Sequence, residues 1–157
     1  CRDWSSDVCS SDLDIIHAVK LPAALLEKPY MRPAYDEPEF VVRNIWRLYG
    51  GWYDGNPARL KPAPDSALAT ELAKLAGGIA VLTRRAGELA DAGDFRLACH
   101  LAEIAVQAEP GDKAAHATRR DVYAARARHE SSLMAKGIFG SAARESDAKT
   151  GEPVPKP

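Results

Sequence analysis

Residues 66–91 read SALATELAKLAGGIAVLTRRAGELAD, and this stretch decides the fold. Its apolar residues recur at alternating spacings of four and three, the period of one face of an α-helix. The positions concerned are Leu68, Leu72, Leu75, Ile79, Leu82, Ala86 and Leu89. They predict a continuous apolar stripe. Because Gly77-Gly78 interrupts the stripe and glycine disfavours helix interiors, we predict a break or bend there rather than one straight rod.

Helical signals continue on both sides of this stretch. Upstream, Asp36-Glu37-Pro38-Glu39 is a helix-start signal, and it predicts a helix over about 38–49. Downstream, Asp94 is a typical N-cap, and Pro110-Gly111-Asp112 marks a turn between two helices. The first of these, 95–108, is predicted to face the core through Leu97, Leu101, Ile104 and Ala108, with Ala98, Ala102 and Ala105 allowing close approach. The second covers about 113–129, and a short helix is predicted around Leu133, Met134, Ile138 and Phe139.

The predicted fold class is therefore all-α, a small helical bundle of αα-hairpins. Residues 92–112 are similar to half of a tetratricopeptide repeat junction, with small residues on a helix, a Pro-Gly-Asp turn and an Ala-rich second helix. A single such repeat cannot bury its apolar face alone, and only about one and a half copies are present. The sequence thus favours a tetratricopeptide-like hairpin inside a small bundle over a true solenoid.

Length and composition limit the function classes. A chain of 157 residues with 46% apolar residues corresponds to about one domain with a real core. Its 21 basic and 22 acidic residues give a formal charge of -1, which argues against a general polyanion binder. No apolar run approaches the roughly 20 residues needed to cross a bilayer. We therefore predict neither nucleic acid nor membrane as a partner.

The two ends of the chain are treated separately. Residues 1–13, CRDWSSDVCSSDL, show neither a helix nor a strand period, and they are similar to the conceptual translation of a sequencing adapter. We interpret them as a non-native segment, so the natural chain is expected to start near Asp14, within a longer gene whose targeting signal cannot be read here. Residues 14–37 are predicted to be an extended Pro-rich arm, with a helix of one or two turns near Ile15–Val19 left as an option. Residues 38–146 are predicted to be the helical domain, and 147–157 a disordered tail.

The usual signatures of catalysis and metal binding are missing from the sequence. The histidines His17, His100, His116 and His129 lie 83, 16 and 13 residues apart, so none forms a close ligand pair. With Cys1 and Cys9 in the non-native segment, Cys99 has no partner for an internal disulfide. No Gly-x-Ser-x-Gly, phosphate-binding glycine loop or Cys-x-x-Cys occurs. We predict no catalytic residue and no metal ligand.

Two segments remain as candidate sites. Residues 113–129 carry a local excess of arginine, which we interpret as a solvated face or a face that pairs with acids in an oligomer, rather than a nucleic-acid surface. The loop 51–57, GWYDGNP, places Trp52 and Tyr53 beside Asn56. Aromatic rings offer a large contact area, and Asn orients polar groups. The alternative, that Trp52 and Tyr53 fill the core under a tight turn, is left open.

The run from Tyr35 to Pro57, YDEPEFVVRNIWRLYGGWYDGNP, resembles the start of the dimerisation domain of alkyl sulfatases. Residues 97–103, LACHLAE, and 130–139, ESSLMAKGIF, are also similar to that family, as are Leu21-Pro22 and Pro29-Tyr30. The resemblance covers about 14–146, and its most specific part is 51–57.

The resemblance implies an all-α module that follows a catalytic domain and forms an intertwined homodimer. The parents are zinc-dependent hydrolases of the metallo-β-lactamase fold, which cleave alkyl sulfates such as dodecyl sulfate to alcohol and sulfate. Two zinc ions are held there by a His-x-His-x-Asp-His motif and further His and Glu ligands, none of which occurs in this chain. The implied partners are a second copy and the parent catalytic domain, and the implied location is periplasmic or secreted.

Three residues are carried over as substrate-proximal positions. Trp52 and Asn56 match the family pattern, whereas many members have Phe in place of Tyr53, so no catalytic role is assigned to the Tyr53 hydroxyl. The chain alone is expected not to hydrolyse sulfate esters. The competing interpretation is a tetratricopeptide-like adaptor that binds a peptide in a concave groove.

Overall fold

A computed structural model describes residues 12–151 of the chain, leaving out the side chain of Asp12. These residues form helices, turns and loops without a strand, which confirms the predicted all-α class. The helices are α1 Asp12–Ala18, α2 Ala23–Leu26, α3 Pro38–Gly50, α4 Asp65–Ala76, α5 Ile79–Asp91, α6 Phe95–Ala108, α7 Lys113–His129 and α8 Leu133–Thr150, with 3₁₀ turns at Pro29–Met31 and Pro57–Arg59. The chain divides into two compact units between Pro62 and Ala63.

The ends of the chain differ in part from the prediction. Most of the segment interpreted as non-native, residues 1–11, lies outside the described residues, and α1 begins at Asp12. The tail was predicted to be disordered from residue 147. This is wrong for residues 147–150, because α8 continues to Thr150 and ends at Gly151 in the left-handed conformation. Residues 152–157 lie outside the described part.

The first unit is built around α3. α1 overlaps the helix left as an option near Ile15–Val19, whereas the rest of the arm, predicted to be extended, contains α2 and one 3₁₀ turn. α1 contacts α3, and Ile16 is the only apolar side chain in the described part of this unit that is fully buried. α3 begins at Pro38, as predicted, and ends where Gly51 adopts a φ of +84°.

The second unit is a chain of packed helices. α5, α6, α7 and α8 each contact the next, and α5 also contacts α7 while α4 contacts α6. The predicted cap is present at Asp94, which accepts a hydrogen bond from the backbone N–H of Leu97. Asp112, predicted only as part of a turn, also caps its helix and accepts from the backbone N–H of Ala115. Helices 95–108 and 113–129 have the predicted limits, whereas α8 is longer than the predicted short helix.

Alanine dominates the core of the second unit. One cluster joins Ala86, Ala98, Ala102 and Val122, and the other joins Ala73, Leu82, Ala105, Val106 and Ala115. Small side chains let helix backbones approach closely, so tight packing here depends on the absence of bulk. Larger residues such as Leu101 and Ile104 pack partly buried against these clusters.

The apolar stripe of 66–91 divides at the glycine pair. α4 and α5 meet at an angle of 88°, and the predicted break is confirmed. Gly77 is left-handed, and the Gly78 N–H donates to the Ala73 carbonyl at 2.8 Å, which closes α4. The α5 half of the stripe faces the core through Leu82 and Ala86.

The α4 half of that stripe corrects the sequence interpretation. Leu68, Leu72 and Leu75 lie outward, 56%, 36% and 84% exposed, whereas Ala69 and Ala73 face the core. Leu97 was predicted to face the core and is 53% exposed, because the buried face of α6 is its alanine face. Periodicity located the apolar faces, but it could not show that the smaller residues would face inward.

Within residues 12–151, no single helix is both long enough and apolar enough to cross a membrane. The bent pair of α4 and α5 reaches that length and hydropathy only when the two helices are taken together.

Candidate functional site

The loop after α3 is held by short hydrogen bonds. Asp54 Oδ1 accepts from the backbone N–H of Asn56 at 2.9 Å, and Asp54 Oδ2 pairs with Arg59 Nη1 at 2.6 Å. These two contacts, the backbone hydrogen bond first, hold the pKa of the Asp54 carboxyl below its usual value. Asn56 Oδ1 accepts from the Ala58 N–H at 3.0 Å and starts the following 3₁₀ turn. The loop is thus a defined turn, with the Asn56 oxygen used internally.

The two aromatic residues of this loop lie side by side. The ring centroids of Trp52 and Tyr53 are 6.1 Å apart, with an interplanar angle of 64°. Trp52 is 77% exposed, so the alternative that it fills a core does not hold for it, and Tyr53 is half-buried. Among the three predicted substrate-proximal residues, Trp52 exposes its ring and Tyr53 packs beside that ring. Asn56 uses its side-chain oxygen to start the following turn.

A buried polar cluster in the second unit was not found from the sequence. Arg119 of α7 donates through Nε to Glu103 of α6 at 2.7 Å. Its Nη1 donates to the Ala142 carbonyl at 2.9 Å and to Ser146 Oγ at 2.8 Å, both on α8. One guanidinium thus joins three helices. Its partners lie 16 to 27 residues away in sequence, and no local pattern relates them.

His116 continues this cluster. Its Nε2 lies 3.0 Å from the Pro110 carbonyl, which can only accept, so the proton belongs on Nε2. Its Nδ1, 3.2 Å from Ser146 Oγ, is then the acceptor of the serine hydroxyl proton. A serine beside a histidine is the arrangement of an activated nucleophile, but Ser146 has no exposed surface. Because no substrate can reach that hydroxyl, the pair is structural.

Neighbouring groups are kept neutral by burial. Burial, followed by the charge of Glu103, raises the pKa of the Tyr123 phenol. The Arg119 guanidinium lies 5.2 Å from the centre of the same ring. Burial raises the pKa of the Cys99 thiol to about 11, so the thiol stays protonated near neutral pH and is a poor nucleophile.

The Arg-rich helix does not present a fully solvated basic face, which corrects part of the sequence interpretation. Arg119 and Arg120 are 8% and 7% exposed. Acidic partners come from the same chain: Arg120 pairs with Asp121 at 2.8 Å, and Arg126 pairs with Glu130. Much of the local positive charge is therefore neutralised within the second unit rather than offered to a polyanion.

No group of three or more His, Cys, Asp or Glu side chains in the described residues could hold a metal ion. An open cleft of about 400 Å³ lies between α5 and α7. Its lining combines small apolar residues, two threonines, two arginines and two aspartates: Gly87, Ala90, Val122, Ala125, Thr83, Thr118, Arg84, Arg128, Asp91 and Asp121. The lining contains no histidine, cysteine or glutamate.

The described residues define an all-α protein whose 51–57 loop exposes an aromatic ring. Residues 12–149 match the family model described as alkyl sulfatase dimerisation. The chain belongs to the alkyl sulfatase dimerisation family.

Relatives and solved structures agree with this family. The chain is 34% identical over 102 residues to an (R)-specific secondary-alkylsulfatase from Pseudomonas sp, covering 65% of this chain and 15% of that protein. A linear primary-alkylsulfatase from another Pseudomonas strain is 34% identical over 113 residues, covering 71% and 21%. An alkyl/aryl-sulfatase of Saccharomyces cerevisiae is 30% identical over 99 residues, covering 63% and 15%.

A solved structure of a double mutant of the sec-alkyl sulfatase PisA1 superimposes with a TM-score of 0.80 at 28% identity. It covers 88% of this chain and 22% of that one. The stereoselective inverting sec-alkylsulfatase Pisa1 from Pseudomonas sp. gives a TM-score of 0.78 at 27% identity, covering 92% and 23%. The chain thus spans no more than about a quarter of the length of the proteins it matches.

Proposed function

We propose that this chain is the dimerisation module of a zinc-dependent alkyl sulfatase, and that it acts by holding two copies of a larger hydrolase together. The observation that carries the proposal is the match of residues 12–149 to the alkyl sulfatase dimerisation family. Large exposed apolar residues on several helices support it. A stable interface removes such surface from water, and obligate interfaces bury roughly 2,000 Å² or more.

The proposed parent reaction is hydrolysis of an alkyl sulfate ester such as dodecyl sulfate to alcohol and sulfate. The relatives are named as secondary, primary and alkyl/aryl sulfatases, so the sulfate ester is the part of the substrate that they share. Zinc would polarise the ester and supply a hydroxide-like nucleophile. The described residues of this chain do not fit a zinc site, so we assign the metal to the catalytic domain of the parent and no hydrolytic step to this module.

Within the parent, we assign the loop 51–57 to the mouth of the active site. Trp52 offers an exposed ring that can contact an alkyl chain, while Tyr53 supports it at 6.1 Å. Asn56 contributes indirectly, since its side-chain oxygen starts the turn that orients the loop. In this arrangement Trp52 contacts substrate, and Asn56 is a positioning residue.

Sedimentation of the 157-residue chain tests the dimerisation proposal. We expect a dimer at micromolar concentration, with helical circular dichroism retained. A clean monomer across that range would contradict the proposal. The upstream reading frame gives an independent test, because it is expected to encode the His-rich zinc motif ahead of Asp14.

The loop assignment is tested in the intact parent enzyme. Trp52→Ala is expected to raise KM for dodecyl sulfate about 10-fold, because a ring that contacts the alkyl chain contributes on the order of 1–2 kcal/mol. Tyr53→Phe is the matched control and is expected to leave kcat and KM unchanged. Equal kcat and KM for Trp52→Ala and the wild type would contradict the assignment of the loop to the active-site mouth.

The alternative function, a tetratricopeptide-like peptide adaptor, is favoured by one feature, the cleft between α5 and α7. It predicts a monomer whose peptide binding is lost in Gly87→Trp, which would fill the cleft. A dimer unaffected by this substitution supports the dimerisation module instead.

A further inference from the structure

The larger apolar residues of α4 lie on its exposed face rather than in the core of the second unit. Its buried residues are Ala69 and Ala73, while its three leucines lie outward. Burying a leucine side chain gains roughly 1.5–3 kcal/mol, far more than burying an alanine. Close packing against neighbouring helices admits only alanine on the inner face of α4, so its larger apolar side chains stay uncovered in the single chain. We define the leucine stripe as Leu68, Leu72 and Leu75.

The geometry points to the leucine stripe as the seam at which two copies of this chain meet, related by a twofold axis. This inference rests on the proposed function, because a dimerisation module supplies the second copy as the occupant. The stripe has the 4-3 spacing that lets two helices interlock side chains along a common seam. A twofold contact places the same patch on both partners, so each stripe would cover the other.

Charge around the stripe suits a surface that meets its own copy. A twofold contact pairs each residue of one copy with a different residue of the other, so a rim that carries both signs of charge can meet its own copy without net repulsion. On α4, Glu71 Oε1 and Lys74 Nζ pair with each other at 2.7 Å within the helix. A helix that lies on an anionic membrane surface instead carries several Lys or Arg residues on its polar face, whereas Lys74 is the only basic residue of α4.

The helix that bears the stripe is fixed in place. α4 contacts α6 of the second unit, and its last turn is closed by the hydrogen bond from the Gly78 N–H to the Ala73 carbonyl. A preorganised surface loses little conformational entropy when it binds. The stripe is therefore ready for contact without refolding.

Leu75→Glu tests the seam in the full chain. Leu75 is 84% exposed, so the substitution leaves the core of its own copy untouched, yet it would bury an unpaired carboxylate from each copy in the twofold contact. We expect sedimentation equilibrium to show a monomer with unchanged helical circular dichroism. Leu133→Glu is the matched control: it is 64% exposed, lies in the first turn of α8, and is expected to remain dimeric.

A milder variant guards against misfolding. Leu75→Ala is expected to raise the dimer dissociation constant roughly 100-fold, because the twofold repeats the loss in both copies. A dimer of wild-type strength in both Leu75 variants would overturn the seam while leaving the dimerisation proposal standing. A monomeric wild type would overturn both. Co-sedimentation of a monomeric wild type with vesicles of phosphatidylcholine and phosphatidylglycerol, lost in Leu75→Glu, would identify a membrane contact and also overturn the seam.

Discussion

The two units of this chain bury very different amounts of apolar side chain. In the described part of the first, Ile16 alone is fully buried, and α3 exposes Val41, Ile45 and Leu48. In the second, two alanine-rich clusters and the Arg119 hydrogen bonds join α5, α6, α7 and α8. Burial of apolar surface is the main favourable term in folding. The second unit therefore has the means to fold by itself, whereas we expect the first, which buries little apolar surface in its described part, to depend on contacts outside itself.

Hydrogen exchange gives the largest expected difference. In the isolated chain, amides of α3 are expected to exchange roughly 1000-fold faster than those of α6, because local opening ranges from about zero up to the global free energy of unfolding. Mass spectrometry of the exchanged, digested chain measures this ratio. Equal protection of α3 and α6 would contradict the proposed dependence of the first unit on outside contacts.

Removal of the buried guanidinium is the next largest effect. Arg119→Met would remove the hydrogen bonds to Glu103 and to the Ala142 carbonyl, so the free energy of unfolding is expected to fall by about 1.5–3 kcal/mol. Urea denaturation measures it. The matched control is Arg84→Met, which removes an exposed pair with Glu88 and is expected to change stability by less than about 1 kcal/mol. Similar losses of unfolding free energy in the two variants would show that the buried cluster stabilises the fold no more than an exposed ion pair does.

The alanine core is tested by adding volume. Ala102 has no exposed surface, so Ala102→Leu is expected to lower the free energy of unfolding by about 1–3 kcal/mol through overpacking. Ala80, exposed on α5, is the control, and Ala80→Leu is expected to stay within about 0.5 kcal/mol of the wild type. An unchanged Ala102→Leu variant would mean that the helices are not closely apposed there.

A smaller effect is expected at alkaline pH. The folded pKa of Cys99 is about 11, against an ordinary 9.0. Between these values the unfolded chain loses a proton that the folded chain keeps, so stability is complete below about pH 9 and falls as the pH rises toward 11. Under reducing conditions, Cys99→Ala is expected to flatten this decline relative to the wild type. Parallel profiles for the two proteins would show that burial does not hold the thiol proton.

Local signals in the sequence located most helices. Asp94 and Asp112 cap helices that have the predicted limits, and the glycine pair at 77–78 breaks the stripe as predicted. These features depend on hydrogen bonds and backbone conformations within a few residues, which the sequence encodes directly. The resemblance in 35–57 gave the family, which the match over residues 12–149 confirms.

The exposure of Trp52 and the buried hydrogen bonds of Arg119 could not be predicted from the sequence. The exposed ring of Trp52 could not be told from a core residue, because burial depends on distant segments. The link from Glu103 through Arg119 to Ser146 was missed for a related reason: three helices separated along the chain must pack before these groups meet.

The sequence by itself determined the limits of α6 and α7, the break between α4 and α5, the all-α class and the family that the chain resembles. The tertiary structure alone decided which apolar residues face inward: on α4 the alanines lie in the core and the leucines lie outside. The physical reason is that helical period identifies the faces of a helix, whereas the space left by neighbouring helices selects the face that fits, and closely packed helices admit only small side chains.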